Sequence, residues 1–270
     1  MNRIDALYQR TRSTHGFALN VYLCAGSPSL DATEALILEM ERRGVDAIEL
    51  GMPFSDPVAD GPDLQPAHAR GVAAGITLGD VLDLVRRVRR RSQVPIALMS
   101  YYNPIHYRGP ARLVAEAAEA GVDGLIVPDL PPDEAAELIA AGREHDVKTV
   151  FFVAPTSTPD RVAIVNRSAT GFIYCISVTG VTGARTKLPP ELATQLRGLR
   201  RTTDKPLVVG FGVSTPEHVA AMAEVADGCI VGSAVARVIE ARLGEPLDAL
   251  LHAVGDFIEP LARAAHRSRS

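Results

Sequence analysis

Three cysteines in 270 residues, Cys24, Cys175 and Cys229, are too few for a disulfide framework, and each sits inside or at the end of an apolar run ("NVYLCAG", "FIYCIS", "DGCIVG"). They read as small buried hydrophobes of a reducing compartment, neither bridges nor a metal knuckle. A basic excess is also missing. The net charge of -4 and pI near 6.0 leave nothing to track a phosphodiester backbone or an acidic membrane, which argues against nucleic acid and membrane as partners. No apolar run is long enough to span a bilayer, and "MNRIDALYQRTRSTHG" shows helical periodicity without an apolar segment and cleavage site, so the expected location is the cytoplasm. The one run of like charge, "RRVRRR" at Arg86 to Arg91, reads as the solvated last turn of a helix, where cations suit the macrodipole. The seven histidines are scattered with no pair at ligand spacing; no metal is expected, and they read as surface or capping residues.

What is present is a large apolar fraction, 47%, arranged in a regular alternation. Short runs rich in Val, Ile and Phe fall at 17–26, 46–52, 95–102, 123–130, 147–155, 171–178, 206–213 and 227–233. Segments with helical spacing lie at 31–43, 77–91, 110–120, 133–145, 159–168, 189–201, 215–225 and 246–266, with a further helical N-terminus. Thr158 before Pro159 and Thr215 before Pro216 read as caps, as does Asp31. "GVDAIEL", "GVDGLIV" and "VADGCIV" repeat one helix-to-strand turn. Eight strand–helix units of about this length, with strands buried on both faces, predict a closed parallel (β/α)₈ TIM barrel with an extra N-terminal helix. No Pro/Gly/Ser-rich linker divides the chain, so residues 1–270 are read as a single domain.

In such a barrel the chemistry belongs at the C-terminal ends of the strands. Glu49 stands there between Ile48 and Leu50, whose side chains face the other way, so it points into the barrel or its mouth. A carboxylate in that place is costly unless paired or used; satisfaction by backbone donors competes with a poised acid/base. The stretch that follows, "ELGMPFSDPVADGP", cannot be helix and carries Asp56 and Asp60; Asp63, just beyond it, suits a helix start. "GFGVS" at 210–214 and "VGSAV" at 231–235 are glycine turns after strands seven and eight, each opening helix or a short helical turn, and together they can cradle a phosphate dianion. The loop "SVTGVTGARTKLPP", 177–190, reads as a lid or a plain surface loop. Lysine occurs only as Lys148, Lys187 and Lys205; two of these fall at strand starts and one in the lid, so a Schiff-base mechanism is disfavoured. What remains is carboxylate acid/base chemistry on a small phosphorylated molecule.

"ELGMPFSDPVADGP", "SVTGVTGAR", "GFGVS" and "VGSAV", in this order and spacing, resemble the tryptophan synthase alpha chain family over nearly the whole length. The resemblance implies retro-aldol cleavage of indole-3-glycerol phosphate to indole and glyceraldehyde 3-phosphate. It assigns Glu49 as principal acid/base, Asp60 as its partner at the indole N–H, and Tyr174 as a neighbour of Glu49. Gly183, Phe211, Gly212, Gly232 and Ser233 match its substrate- and phosphate-binding positions. Tyr22, Met99, Tyr101 and Val127 are candidates for the indole slot, with Phe17, Leu98, Leu125 and Phe152 also considered; ordinary barrel core is the competing reading for all of them. The family implies an α₂β₂ complex in which Asp56 and Pro57 face a beta chain that holds pyridoxal phosphate and receives indole; this chain itself is expected to hold no cofactor. Val178 and Thr179 stand where some members carry an arginine and a small residue.

Two other functions are compatible with a phosphate-binding barrel. An isomerase or cyclase of amino-acid biosynthesis would carry a different base or a lysine at a strand end and leaves 49–63 unexplained. A non-catalytic activating subunit would have no need of Glu49 and Asp60.

Overall fold

The computed structural model describes residues 1–14, 16–176, 190–210 and 212–267. Helix α1 (Arg3–Ser13) precedes β1 (Ala18–Cys24), α2 (Leu30–Arg42) and β2 (Ala47–Gly51); α3 (Gln65–Ala73) and α4 (Leu78–Arg89) lead to β3 (Ile96–Met99). Next come α5 (Tyr102–Arg108), α6 (Pro110–Ala120), β4 (Gly124–Ile126), α7 (Ala136–Glu144), β5 (Lys148–Val153), α8 (Pro159–Ser168) and β6 (Ile173–Ile176). The chain finishes with α9 (Pro190–Arg200), β7 (Leu207–Gly210), α10 (Pro216–Ala223), β8 (Gly228–Val231), α11 (Ser233–Glu240) and α12 (Leu247–Ala265). All eight strands are parallel and pair in chain order, β8 closing on β1. The expected TIM barrel with its N-terminal helix is therefore the fold.

Strand alternation divides the core in two. Side chains that leave the barrel, such as Leu19, Val21, Ile48, Leu50, Leu98 and Val209, join one large cluster with the surrounding helices. Those on the opposite face, including Ala18, Tyr22, Ala47, Ala97, Ile126, Val150, Val208 and Ile230, form a separate interior cluster together with Ile4, Leu7 and Tyr8 of α1. Helix α1 thus plugs the N-terminal end of the barrel. Asn2 fastens it by donating to the carbonyls of Asp123 (3.0 Å) and Asp146 (2.6 Å). Glycines make room for the plug: a Cβ on Gly124 would lie 2.8 Å from Ile4 Cδ1. With that end filled, the C-terminal mouth is left for chemistry. Among the described residues, no helix is long and apolar enough to cross a membrane.

The segments that differ from expectation have local causes. Helix α3 follows the helix start expected near Asp63, although no helical segment was read there; Pro66 falls in its first turn, where a proline loses no hydrogen bond. The third strand is shorter than the expected 95–102, its ladder stopping at Met99, and α5, for which no helix was read, follows with Tyr101 as its N-cap. After strand eight the expected short turn is the eight-residue α11. Ser29, not Asp31, caps α2 through its side chain, whereas Thr158 and Thr215 cap α8 and α10. Within the arginine run, Arg86 pairs with Asp83 at the surface, but Arg89 turns inward, bonding Asp123 (2.8 Å) and the carbonyls of Gly121 and Val94.

Candidate active site

Glu49 lies in the middle of β2, with Tyr22 of β1 and Ala97 of β3 as its ladder partners. It is 1% exposed, and neither carboxylate oxygen has a hydrogen-bond partner among the described residues. Burial pushes its pKa up to about 8. At neutral pH such a group is largely a protonated acid in an apolar chamber, able to give a proton and then to act as a base. The competing expectation, a carboxylate satisfied by backbone donors, does not describe it.

The chamber around Glu49 is interior-facing. Tyr174 of β6 packs on Phe152 of β5 (centroids 4.8 Å apart), and the two are partners in the ladder. The Tyr174 ring occupies space that only glycine leaves open, since a Cβ on Gly210 would lie 2.3 Å from its Cε1. Burial raises the Tyr174 phenol well above its usual pKa, and the nearby Glu49 and Asp60 charges add to the effect. Gly51 does for Tyr22 what Gly210 does for Tyr174: its Cβ would meet the Tyr22 hydroxyl at 2.2 Å. Met99 and Phe152 pack against the same interior cluster. Val127 does not: it belongs to the outer cluster, as do Phe17, Leu98 and Leu125, and on β4 it is Ile126 that faces the interior. The period of two that sends Ile126 inward sends its neighbour out.

Asp60 returns to this chamber from the loop after β2. It is buried, and its Oδ2 accepts from the Tyr101 hydroxyl at 2.6 Å. The same hydroxyl oxygen accepts from the Ala59 amide (2.9 Å), and the Tyr101 ring stacks on Phe54 (5.0 Å). Tyr101 therefore holds both ends of the loop instead of only lining a slot. Its phenol is raised by burial, then by the bond to Asp60 and that residue's charge. His68 also approaches Asp60 Oδ2, with Nε2 at 3.4 Å, and its ring bonds Tyr22 Oη (2.9 Å) and the Phe54 amide (3.2 Å). The surface or capping role expected for all histidines is wrong here, since His68 is 2% exposed. No local signal marks it, because the ring is buried by contacts to Phe54 and Tyr22 that only the tertiary structure brings to it.

At the other side of the mouth, α11 begins at Ser233 with Gly232 as N-cap and no side-chain cap. Its first intrahelical bond runs from Ala236 N–H to Gly232 C=O (3.0 Å), so the amides of residues 233–235 precede it and can serve an anion. The start of α10 is different, because Thr215 already occupies the His218 amide. Gly212 enters the intervening loop with φ +40°, in the left-handed region. Gly183, Phe211 and residues 177–189 of the expected lid lie outside the described residues. Asp56 and Val58 are exposed and Pro57 half-buried, on the outer side of the loop that returns Asp60. Asp63 precedes α3 but caps nothing there, pairing instead with Arg237 of α11 (2.5 Å). Lys148 begins β5 at the plugged end, tied to Asp5 and Asp146, and Lys205 precedes β7 at that same end.

The chain is similar to known proteins along nearly its whole length. The family model described as tryptophan synthase alpha chain matches residues 8–260. The tryptophan synthase alpha chain of Geobacter sp. (strain M21) is 46% identical over 261 residues, covering 97% of each chain. Among solved structures, the tryptophan synthase subunit alpha of Legionella pneumophila str. Paris superposes with a TM-score of 0.89 at 36% identity, covering 98% of each chain. A chain of the tryptophan synthase α₂β₂ complex from the hyperthermophile Pyrococcus furiosus gives 0.85 at 38% identity, covering 91% of this chain and 98% of that one. With a buried acid on β2, a second acid returned to it by the following loop and a match along nearly its whole length, this chain belongs to the tryptophan synthase alpha chain family.

Proposed function

We propose that this chain is a carbon–carbon lyase that cleaves indole-3-glycerol phosphate to indole and glyceraldehyde 3-phosphate, with Glu49 as acid and base and Asp60 as its electrostatic partner. The observation that carries the reading is the burial of Glu49 with no hydrogen-bond partner among the described residues. Protonated Glu49 gives its proton to C3 of the indole ring, which places positive charge on the ring nitrogen. Asp60, as a carboxylate facing the N–H, stabilises that charge, an interaction that strengthens as the charge develops. The Glu49 carboxylate then takes the proton of the side-chain hydroxyl next to the ring. As that O–H electron pair becomes the aldehyde C=O, the bond to C3 breaks and its electrons restore the indole. Glu49 ends protonated, ready for the next turnover.

Tyr22, Met99, Phe152 and Tyr174 would form the apolar walls that hold the ring and keep water away from Glu49. The open amides at the start of α11, with Ser233 and Gly212, would hold the phosphate. Lys148 and Lys205 stand at the far end of the barrel, so an amine intermediate gains no support from them.

The same reading makes residues 1–270 one barrel domain that works with a beta chain as an α₂β₂ complex. The outward face of the loop, Asp56 and Pro57 with the 81% exposed Val58, suits a docking edge. Pyridoxal phosphate would belong to that beta chain, which would take up the indole. The decisive assay is indole release from indole-3-glycerol phosphate by wild type and Glu49→Gln, with and without a beta chain. Near-normal turnover by the Gln variant would end the assignment.

A further inference from the structure

We infer that His68 is a positioning residue for this reaction, acting through Asp60; the inference rests on the role given to Asp60 above. A backbone N–H can only donate, so Nδ1 of the His68 ring accepts from Phe54 at 3.2 Å, and in the neutral ring the hydrogen sits on Nε2. Nε2 faces two oxygens, the Tyr22 hydroxyl at 2.9 Å and Asp60 Oδ2 at 3.4 Å. Tyr101 donates to that same Oδ2 at 2.6 Å. Both neighbours thus gather on one oxygen of the carboxylate. Oδ1 has no protein partner among the described residues, which makes it the oxygen available to the indole N–H.

The imidazole also joins three pieces of chain. Nδ1 fixes the start of the loop at Phe54, Nε2 addresses its end at Asp60, and the Tyr22 contact ties both to the barrel interior beside Glu49. Helix α3 is pressed onto the loop to bring the ring there. Gly71, one turn after His68, lies so close that a Cβ would sit 2.4 Å from Pro53 Cγ. At 2% exposure the ring has no alternative partner in water. A buried imidazole whose two nitrogens both have fixed partners orients its neighbours more rigidly than a flexible polar side chain could.

The variants His68→Ala, His68→Asn and His68→Gln separate the two ring nitrogens. Asn can replace the acceptor at Nδ1 only, whereas the Gln amide nitrogen can reach the Nε2 position. The inference expects kcat for indole release to fall on the order of tenfold or more in the Ala and Asn variants, with KM changing far less, and to recover largely in the Gln variant. Combined with Asp60→Asn, His68→Ala should add little further loss, because the group it positions is already gone. Wild-type kcat in the Asn variant, no recovery with Gln, or the same loss from His68→Ala in both backgrounds would overturn it. Should the Ala variant fail to fold, the Asn and Gln pair decides alone. Wild-type turnover by Asp60→Asn would instead bring down the role of Asp60, and this inference with it, whatever the His68 variants do.

Discussion

The hydroxyl of Tyr101 and the carboxylate of Asp60 meet at 2.6 Å although 41 residues separate them. Through that one bond, the residue that opens α5 holds the far end of the loop after β2, and the stack on Phe54 holds its near end. The second acid is held in position by two neighbouring units of the barrel.

Tyr101→Phe keeps the ring stack and removes the hydroxyl. Asp60 then loses a donor and the Ala59 amide loses its acceptor, a cost of roughly 1 to 3 kcal/mol for a bond to a charged group. Indole release should slow by about tenfold or more, and the melting temperature should fall by roughly a few degrees. Unchanged steady-state kinetics would show that Asp60 needs no help from Tyr101.

Glu49 sets the pH dependence. Its acid form must be present to protonate the ring, so kcat/KM should fall as pH rises through about 8. A profile of indole release from pH 6 to 9.5 tests this; a flat profile across pH 8 would contradict a raised pKa for the essential acid.

Stability should show the same group with a definite sign. Below its ordinary value of 4.5, Glu49 is protonated in folded and unfolded chains alike. Between there and about 8 the unfolded chain releases the proton while the folded chain keeps it, so the contribution of this group to stability falls with rising pH and levels off above about 8. Glu49→Gln removes that slope. Its melting temperature relative to wild type should therefore climb from pH 5 to pH 8, and a difference that stays constant would refute the burial account.

Gly210→Ala tests the shape of the chamber. The new methyl would fall 2.3 Å from Tyr174 Cε1, against a ring wedged between β5 and β7. Overpacking of this kind costs about 1 to 3 kcal/mol. Thermal unfolding should show the loss, and displacement of Tyr174 should raise KM for indole-3-glycerol phosphate.

For the phosphate, Ser233→Ala should weaken competition by glycerol phosphate severalfold and leave kcat nearly unchanged, since it removes binding shared by ground and transition states. An unaltered inhibition constant would move the anion away from the start of α11.

The barrel was legible in the sequence because its signals are local. Apolar runs of strand length recur at every unit, Thr–Pro caps mark the starts of α8 and α10, and each signal acts over a few residues. Glu49 was legible for the same reason, as one charge inside an apolar run whose alternation fixes its direction. The positions that resisted are those whose environment comes from elsewhere in the chain. Val127 and Ile126 are equally apolar, and only the register of β4 in the closed barrel sends one in and the other out. Gly51 reads as part of a strand and Gly210 as a turn residue, yet both are gaps shaped for tyrosines on neighbouring strands. His68 resembles any histidine of a polar segment until α3 folds back onto Pro53 and sets its ring among Phe54, Tyr22 and Asp60. The sequence alone determined the repeating unit, the barrel and the first acid, because backbone pattern and local burial decide them. Tertiary structure decided which groups surround that acid, because closure of the barrel places side chains tens of residues apart within hydrogen-bond reach.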